Sequence, residues 1–182
     1  MPLVDAAAGA NRLLLSFLAA VAMLLASCSD RQETPQQRHD AAQVLFDQAT
    51  KQFHNPSATA PGEERQRLQV QAARNYEELL RRYPEQTHWC AQALRSLGNL
   101  RATQTNLDEA VKDYTAVAEK YPGEDWEIVQ AWKSAADLLW EANRCEDAQK
   151  FYQRVVSRFD GTNQPAIVRI VVKGSKARLQ AR

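Results

Sequence analysis

The chain has few of the residues that most catalytic and metal sites require. Its 182 residues include three histidines and three cysteines. The histidines, at 39, 54 and 88, are scattered and lack H-E-x-x-H or other ligand spacing. No nucleophile elbow, phosphate loop or dinucleotide fingerprint occurs either. We therefore expect no metal and no cofactor, and we do not predict an enzyme.

What the chain has instead is an internal repeat of constant period. Each unit has a tyrosine with an alanine one helical turn before it: Ala72 and Tyr76, Ala110 and Tyr114, Ala148 and Tyr152. The interval from Tyr76 to Tyr114 equals that from Tyr114 to Tyr152, and it is called one period below. A period of about 20–50 residues is typical of stacked supersecondary units, none of which can bury its apolar face alone. The repeat therefore favours a binding protein over a catalyst.

Strand signals are nearly absent, and the predicted fold class is all-α. Apolar periodicity and turn residues predict helices near 38–54, 63–83, 87–104, 107–121, 125–142, 145–159 and 165–181. The first helix would pair with the second across a longer loop at 55–62. Segment 166–172 is β-branched and has strand propensity. A helix is favoured there because Ile170 and Gly174 fall one period after Trp132 and Ala136.

The middle unit resembles a tetratricopeptide repeat, W-x2-L-G-x2-Y, A-x3-F and P. The matching positions are Leu97, Gly98, Ala110, Tyr114 and Pro122, whereas Arg101 stands where the motif has Tyr. The family's period of about 34 is shorter than the period here, so we expect the first helix of each pair to be longer. Such elongated repeats resemble those of BamD-like outer-membrane lipoproteins. The resemblance covers 38–182 and implies a short solenoid of about three antiparallel helix hairpins plus a terminal helix.

The N-terminus resembles a bacterial lipoprotein signal. Residues 13–27 are apolar and uncharged and follow Arg12, a length that suits a signal-peptide core rather than a span. Residues 25–28, Leu-Ala-Ser-Cys, resemble the lipobox, which implies removal of 1–27 and acylation of Cys28. Ser29 then favours the outer membrane, facing the periplasm. Residues 28–37 would be a polar tether, and the alternative is an ordinary signal peptide or an uncleaved anchor.

Members of the resembled family bind partners on the concave face that the first helices form. The corresponding positions here define a predicted groove surface: Gln92, Arg95, Asn99, Gln130, Lys133, Asp137 and Trp140. Arg95 and Asn99 resemble a basic and amide pair that some members use to hold a C-terminal carboxylate. Trp140 is the best candidate anchor because Trp is common at binding hot spots. The alternative is a Trp packed between neighbouring helices.

A second candidate surface lies at the basic C-terminal end, where residues 154–182 hold seven basic residues and one acid. We expect Ile167, Ile170, Val171 and Gly174 to face the preceding unit. A docking strip for an acidic, amphipathic partner would remain: Val168, Arg169, Val172, Lys176, Arg178 and Leu179. The alternatives are that the basic end contacts anionic lipid or lipopolysaccharide, or that it is a solvated helix that caps the array.

Cys90 and Cys145 remain once Cys28 is assigned to the lipid. They should lie at opposite ends of parallel helices, too far apart for a disulfide, so we expect two unpaired cysteines that serve packing.

The resulting hypothesis is a membrane-anchored scaffold in the cell envelope that binds other envelope proteins and no nucleic acid. Outer-membrane protein, pilus or secretion-complex assembly are possible settings. The rival hypothesis is a thiol-dependent redox or other envelope enzyme that uses Cys90 or Cys145.

Overall fold

The computed structural model describes residues 33–181, which are helical over most of their length and contain no strand. The helices in chain order are α1 (Pro35–Gln48), a π-helical segment (Ala49–His54), α2 (Asn55–Ser57), α3 (Gly62–Arg82), α4 (Thr87–Thr103), α5 (Leu107–Lys120), α6 (Asp125–Glu141), α7 (Cys145–Phe159) and α8 (Ala166–Gln180). The stretch Gln36–Arg182 forms one compact unit. The all-α prediction is confirmed, including the helix at 166–172.

The first helical segment is longer than the sequence suggested. It begins at Pro35 rather than near 38, and it continues through the π-helical segment and α2 to Ser57. The predicted loop at 55–62 is therefore reduced to residues 58–61. In both regular units the first helix is longer than the second, because α4 and α6 have 17 residues each while α5 has 14 and α7 has 15.

Helices pack in the order of the chain. From α3 onward each helix contacts the next, and the alternate helices α4 and α6, and α6 and α8, also contact each other. One buried cluster lies among the π-helical segment, α3 and α4, and a second extends from α4 to α8. Leu80 and Tyr121 pack against both clusters. These two partly buried residues therefore connect the two clusters.

The turns inside the hairpins repeat with the sequence period. Thr105 and Asn143 lie one period apart, have φ values of 60° and 61°, and are the non-glycine residues with positive φ within 33–181. After each, an amide closes the helix end: Asn106 N–H donates to the Arg101 carbonyl at 3.0 Å, and Arg144 N–H to that of Leu139 at 2.9 Å. These closures satisfy carbonyls at the ends of α4 and α6.

The packing of the repeated tyrosines also recurs. Tyr114 Oη donates to Asn99 Oδ1 and Tyr152 Oη donates to Asp137 Oδ1, both at 2.7 Å. Tyr76 differs, because the position equivalent to Asn99 and Asp137 falls in the loop at 58–61. Its hydroxyl instead contacts Thr50 Oγ1 at 2.8 Å and a nitrogen of the His54 ring at 3.0 Å. The π-helical segment thus supplies the partners that a regular unit takes from its first helix.

One packed pair differs in chemistry between the two regular units. Arg101 of α4 forms an ion pair with the buried Asp113 of α5. The positions one period later are Leu139 and Phe151, which are both buried. The departure of Arg101 from the tyrosine of the motif therefore has a local explanation, since Asp113 faces it.

The predicted register of α8 is wrong. Ile167 and Ile170 are 50% and 65% exposed and Gly174 is exposed, whereas Val168 and Val172 are each 4% exposed and belong to the core. The connection before α8 (160–165) is two residues longer than those before α4 and α6 (83–86 and 121–124). A shift of two positions matches the burial of the two helices, because Val168 and Ser175 then correspond to the buried Ile128 and Ala135. Val168 and Val172 then correspond to Ile128 and Trp132.

Candidate partner-binding surfaces

The groove surface lies on α4 and α6, whose adjacent packing brings its members to neighbouring helices. All seven residues are half-buried: Gln92, Arg95, Asn99, Gln130, Lys133, Asp137 and Trp140. Most of them are held by other side chains. Gln92 Nε2, for example, lies 2.7 Å from His88 Nε2, one helical turn earlier. The surface is therefore polar and largely fixed in position.

Arg95 forms an ion pair with Glu127, an acid that the sequence analysis did not include among the site residues. Its Nε donates to Glu127 Oε2 at 2.6 Å, and Glu127 of α6 is 3% exposed. Arg95 was expected to hold the C-terminal carboxylate of a partner. Its guanidinium is instead already paired with the carboxylate of Glu127, which belongs to the next unit. Glu127 lies in the first turn of α6, where an acid is also explained by the helix dipole, so no sequence signal separated the two roles.

The charge of Arg95 also reaches the neighbouring unit. Burial lowers the pKa of His54, and the positive charge of Arg95 lowers it further. Burial raises the pKa of Tyr114 to about 12. Both groups are therefore neutral near pH 7, and His54 acts as a hydrogen-bonding residue against Tyr76 rather than as a cation.

Asn99 and Asp137 occupy equivalent positions with different chemistry. The side chain of Asn99 accepts a hydrogen bond from the Tyr114 hydroxyl. The carboxylate of Asp137 accepts one from the Tyr152 hydroxyl and also forms an ion pair with Lys133. Burial raises the pKa of Tyr152, and the hydrogen bond to the negatively charged Asp137 raises it further. Each charged member of the groove surface is therefore neutralised by a neighbour, so the surface can offer hydrogen bonds without a strong net charge.

Trp140 lies where the groove surface meets the C-terminal helix. Its ring packs edge-on against Tyr152, with centroids 6.4 Å apart, and the Arg178 guanidinium lies over it at 5.4 Å. The ring is half-buried and contacts the core. Trp140 is thus partly a packing residue, and its contact with Arg178 joins the two predicted surfaces.

The predicted docking strip on α8 does not form one exposed surface. Val168 and Val172 are in the core, and Leu179 packs against it. Arg169 and Lys176 are exposed, and Arg178 covers Trp140. The physical reason is the two-residue shift of the register described above. The large apolar residues that are exposed on this helix are Ile167 and Ile170.

The two described cysteines are free, as predicted. Cys90 is buried, and its Sγ donates to the Tyr83 carbonyl at 3.2 Å. Burial raises the pKa of Cys90 to about 11. Cys145 is exposed at the start of α7, so the prediction that it serves packing is wrong. Because a thiolate is the reactive form, Cys90 is poorly suited to redox chemistry.

Other features can be placed only within residues 33–181. There, no three His, Cys, Asp or Glu side chains are arranged to hold a metal ion. No helix in that range is both long and apolar enough to cross a membrane. Cys28, the predicted signal peptide (1–27) and the first half of the predicted tether (28–32 of 28–37) lie outside the described residues. No family model matches the chain, and no curated protein matches it significantly.

Proposed function

We propose that this protein is a helical-repeat scaffold of the tetratricopeptide type that binds other proteins through the groove surface. The hydroxyl contacts made by Tyr114 and Tyr152 recur after one period, which supports a repeated hairpin. The alternate contacts of α4, α6 and α8 support a stacked arrangement of first helices. A rigid, polar surface on such helices suits recognition of an extended or helical segment of a partner.

The strongest support for this proposal is the contact between Arg95 and Glu127. Arg95 and Glu127 join neighbouring first helices through an ion pair whose carboxylate is almost wholly removed from solvent. We infer that a buried pair of this kind fixes the register of two helices more than it stabilises them. The amide groups of Gln92, Asn99 and Gln130 are then presented at fixed spacing. Such preorganisation lowers the entropic cost of binding a partner.

The proposed setting is the bacterial cell envelope, with the domain attached to the outer membrane through a lipid on Cys28. The support is the lipobox-like segment ending at Cys28 and the apolar core before it. More than one acyl chain gives stable anchoring. Replacing Cys28 by Ala should release the protein from the membrane fraction or leave an unprocessed precursor. Normal acyl labelling of that variant would contradict the lipoprotein proposal.

Partner binding is tested by substitutions on the groove surface. We expect Gln92→Ala with Gln130→Ala to reduce recovery of envelope partners from detergent-solubilised membranes. The matched control is Gln149→Ala with Gln153→Ala, two glutamines exposed on α7. Circular dichroism should show equal helix content for both double variants. Equal partner recovery from both would remove the groove surface from the proposal.

The thiol-enzyme hypothesis is less well supported. Cys90 is buried with a raised pKa, and its thiol is committed to the Tyr83 carbonyl. Of the two described cysteines, Cys145 alone is exposed. An enzyme that depended on Cys90 would need the core around α4 to open, whereas the proposed scaffold needs no such motion.

A further inference from the structure

A cavity of about 350 Å³ opens between the connection at 160–165 and the middle of α8. Its apolar floor includes Phe159 and Val172, which are both buried. The cavity is also lined by three basic side chains, those of Arg169, Lys173 and Lys176. The basic face of α8 is defined here as the four α8 residues Arg169, Val172, Lys173 and Lys176 together with Phe159 at the end of α7. None of the five belongs to the groove surface.

The charges on this face are only partly compensated. Lys176 Nζ pairs with Asp160 Oδ2 at 2.6 Å, and Arg169 Nη1 donates to the Gln164 carbonyl at 2.6 Å. Lys173 forms no ion pair with any of residues 33–181. Asp160 is the acid that lines the cavity together with the three cations. The face therefore keeps an excess of positive charge beside an apolar floor.

The repeat explains why this face is unusual. With the shifted register, Lys176 corresponds to Ala136 of α6, and Ala136 to Gly98 of α4. At Gly98 the second helix of the hairpin lies so close that an added Cβ would be 2.6 Å from Tyr114 Cε1. A lysine cannot occupy such a contact. The position that lies against α5 on α4 is thus occupied on α8 by an exposed lysine.

The spacing of the cations indicates the kind of neighbour. Arg169, Lys173 and Lys176 are separated by four and three residues, so they follow one stripe along about two turns of α8. Acidic residues at the same helical spacing on a second helix would meet them along its length. A free anion would use one or two of these cations and would leave the apolar floor uncovered.

We propose that the basic face of α8 docks an amphipathic helix of a partner protein. Acidic residues of that helix meet Arg169, Lys173 and Lys176, and an apolar side chain enters the cavity over Phe159 and Val172. The proposal takes its setting from the scaffold function proposed above. It uses residues outside the groove surface, however, so the two can fail separately.

The test uses the full lipidated chain in detergent micelles and two synthetic helical peptides. Both peptides carry Leu at positions i, i+4 and i+7. One has Glu along the flanking stripe, and its twin has Lys there. Fluorescence anisotropy should detect binding of the acidic peptide only. Arg169→Glu with Lys173→Glu should weaken that binding by about tenfold or more, because two charge contacts become repulsive.

The controls separate this site from unspecific charge and from the groove surface. Lys120→Glu makes the same kind of charge change at an exposed position of α5 and should leave binding unchanged. The Gln92→Ala and Gln130→Ala pair should also leave it unchanged, even if partner recovery through the groove fails. The thermal midpoint of each variant, read by circular dichroism, verifies that the fold is intact.

Several outcomes would overturn the proposal. One is equal binding of both peptides or of neither, and another is unchanged binding by the Arg169 and Lys173 variant. Binding of phosphatidylglycerol vesicles that this variant abolishes, with no peptide binding, would assign the face to the membrane. Self-association in sedimentation that the same variant abolishes would assign it to a second copy of the chain.

Discussion

Arg95 of α4 and Glu127 of α6 form an ion pair at 2.6 Å across two neighbouring first helices, and Glu127 is 3% exposed. The two residues belong to successive units, so the contact joins units rather than the two helices of one hairpin. Desolvation makes such a pair costly unless both partners are present. The pair therefore connects the stacking of the repeat with the geometry of the groove surface.

The first prediction concerns this pair. Glu127→Leu should destabilise the fold by about 3 kcal/mol, because it leaves the Arg95 guanidinium unpaired in a mostly buried place. Arg95→Met combined with Glu127→Leu should recover most of that loss. Urea unfolding followed by circular dichroism measures both. Glu78→Ala is the control, since it removes a pair with Arg81 that is exposed on α3 and should matter little. An additive double variant would show that the two side chains do not depend on each other.

The second prediction tests the close approach of α4 and α5. Gly98→Ala should destabilise by about 1–3 kcal/mol, because the new methyl group would overlap the Tyr114 ring. Gly174→Ala is the matched control in α8, where nothing lies within 4 Å of the added atom. There the better helix propensity of Ala should stabilise by about 0.5–1 kcal/mol. If both substitutions stabilise the protein, the packing of the hairpin described here is wrong.

The third prediction concerns the ion pair between Arg101 and Asp113, which is replaced by the apolar pair found in the next unit. Arg101→Leu with Asp113→Phe introduces the residues found one period later, Leu139 and Phe151. Replacing a buried ion pair by packed apolar residues is often neutral or stabilising. We expect stability near pH 7 to be equal to or above that of the parent protein. Arg101→Leu alone should be clearly destabilising, because it leaves the Asp113 carboxylate buried without its cation.

The same pair gives a pH dependence with a defined sign. Burial raises the pKa of Asp113, ahead of the opposing effect of Arg101. The native state then binds this proton more tightly than the unfolded chain, so the contribution of Asp113 is most favourable at low pH and is lost as pH rises through its raised pKa. The advantage of the double variant should therefore grow from about pH 4 to about pH 7. An advantage that shrinks over this range would contradict the assignment.

The fourth prediction concerns thiol reactivity. In the folded Cys28→Ala variant at about pH 8, Ellman's reagent should modify Cys145 rapidly and Cys90 only after denaturation, because the pKa of Cys90 is raised to about 11 by burial. Cys145→Ser should abolish the rapid phase. Rapid modification of Cys90 in the native state would revive the redox hypothesis.

The sequence predicted the all-α class and most of the helices because one physical constraint repeats. Packing of the alanine and tyrosine at each unit, such as Ala110 and Tyr114, needs the same spacing each time, so the constant period determines helix order and length. The prediction failed where that period changes. The two extra residues at 160–165 shifted α8, and they reversed the expected roles of Ile170 and Val172.

The candidate site was harder to predict because its contacts join different units. Glu127 was missed, since an acid in a first helical turn has a sufficient local explanation. The cavity above Phe159 depends on the path of the connection at 160–165 and leaves no periodic signal. The residues of the groove surface lie half-buried on α4 and α6, as the helical period predicts, and their role in partner binding stays a prediction. The pairing of Arg95 could not be read from one unit alone.

Site-specific photocrosslinking tests the scaffold account most directly. A photoreactive phenylalanine analogue would be placed at Gln92 or Gln130 of the groove surface, and at Gln149 or Gln153 of α7, in intact cells with Cys28 unchanged. The account predicts discrete crosslinked envelope proteins from positions 92 and 130 and none from 149 and 153. Crosslinks from α7 alone, or the same weak pattern from all four positions, would contradict it.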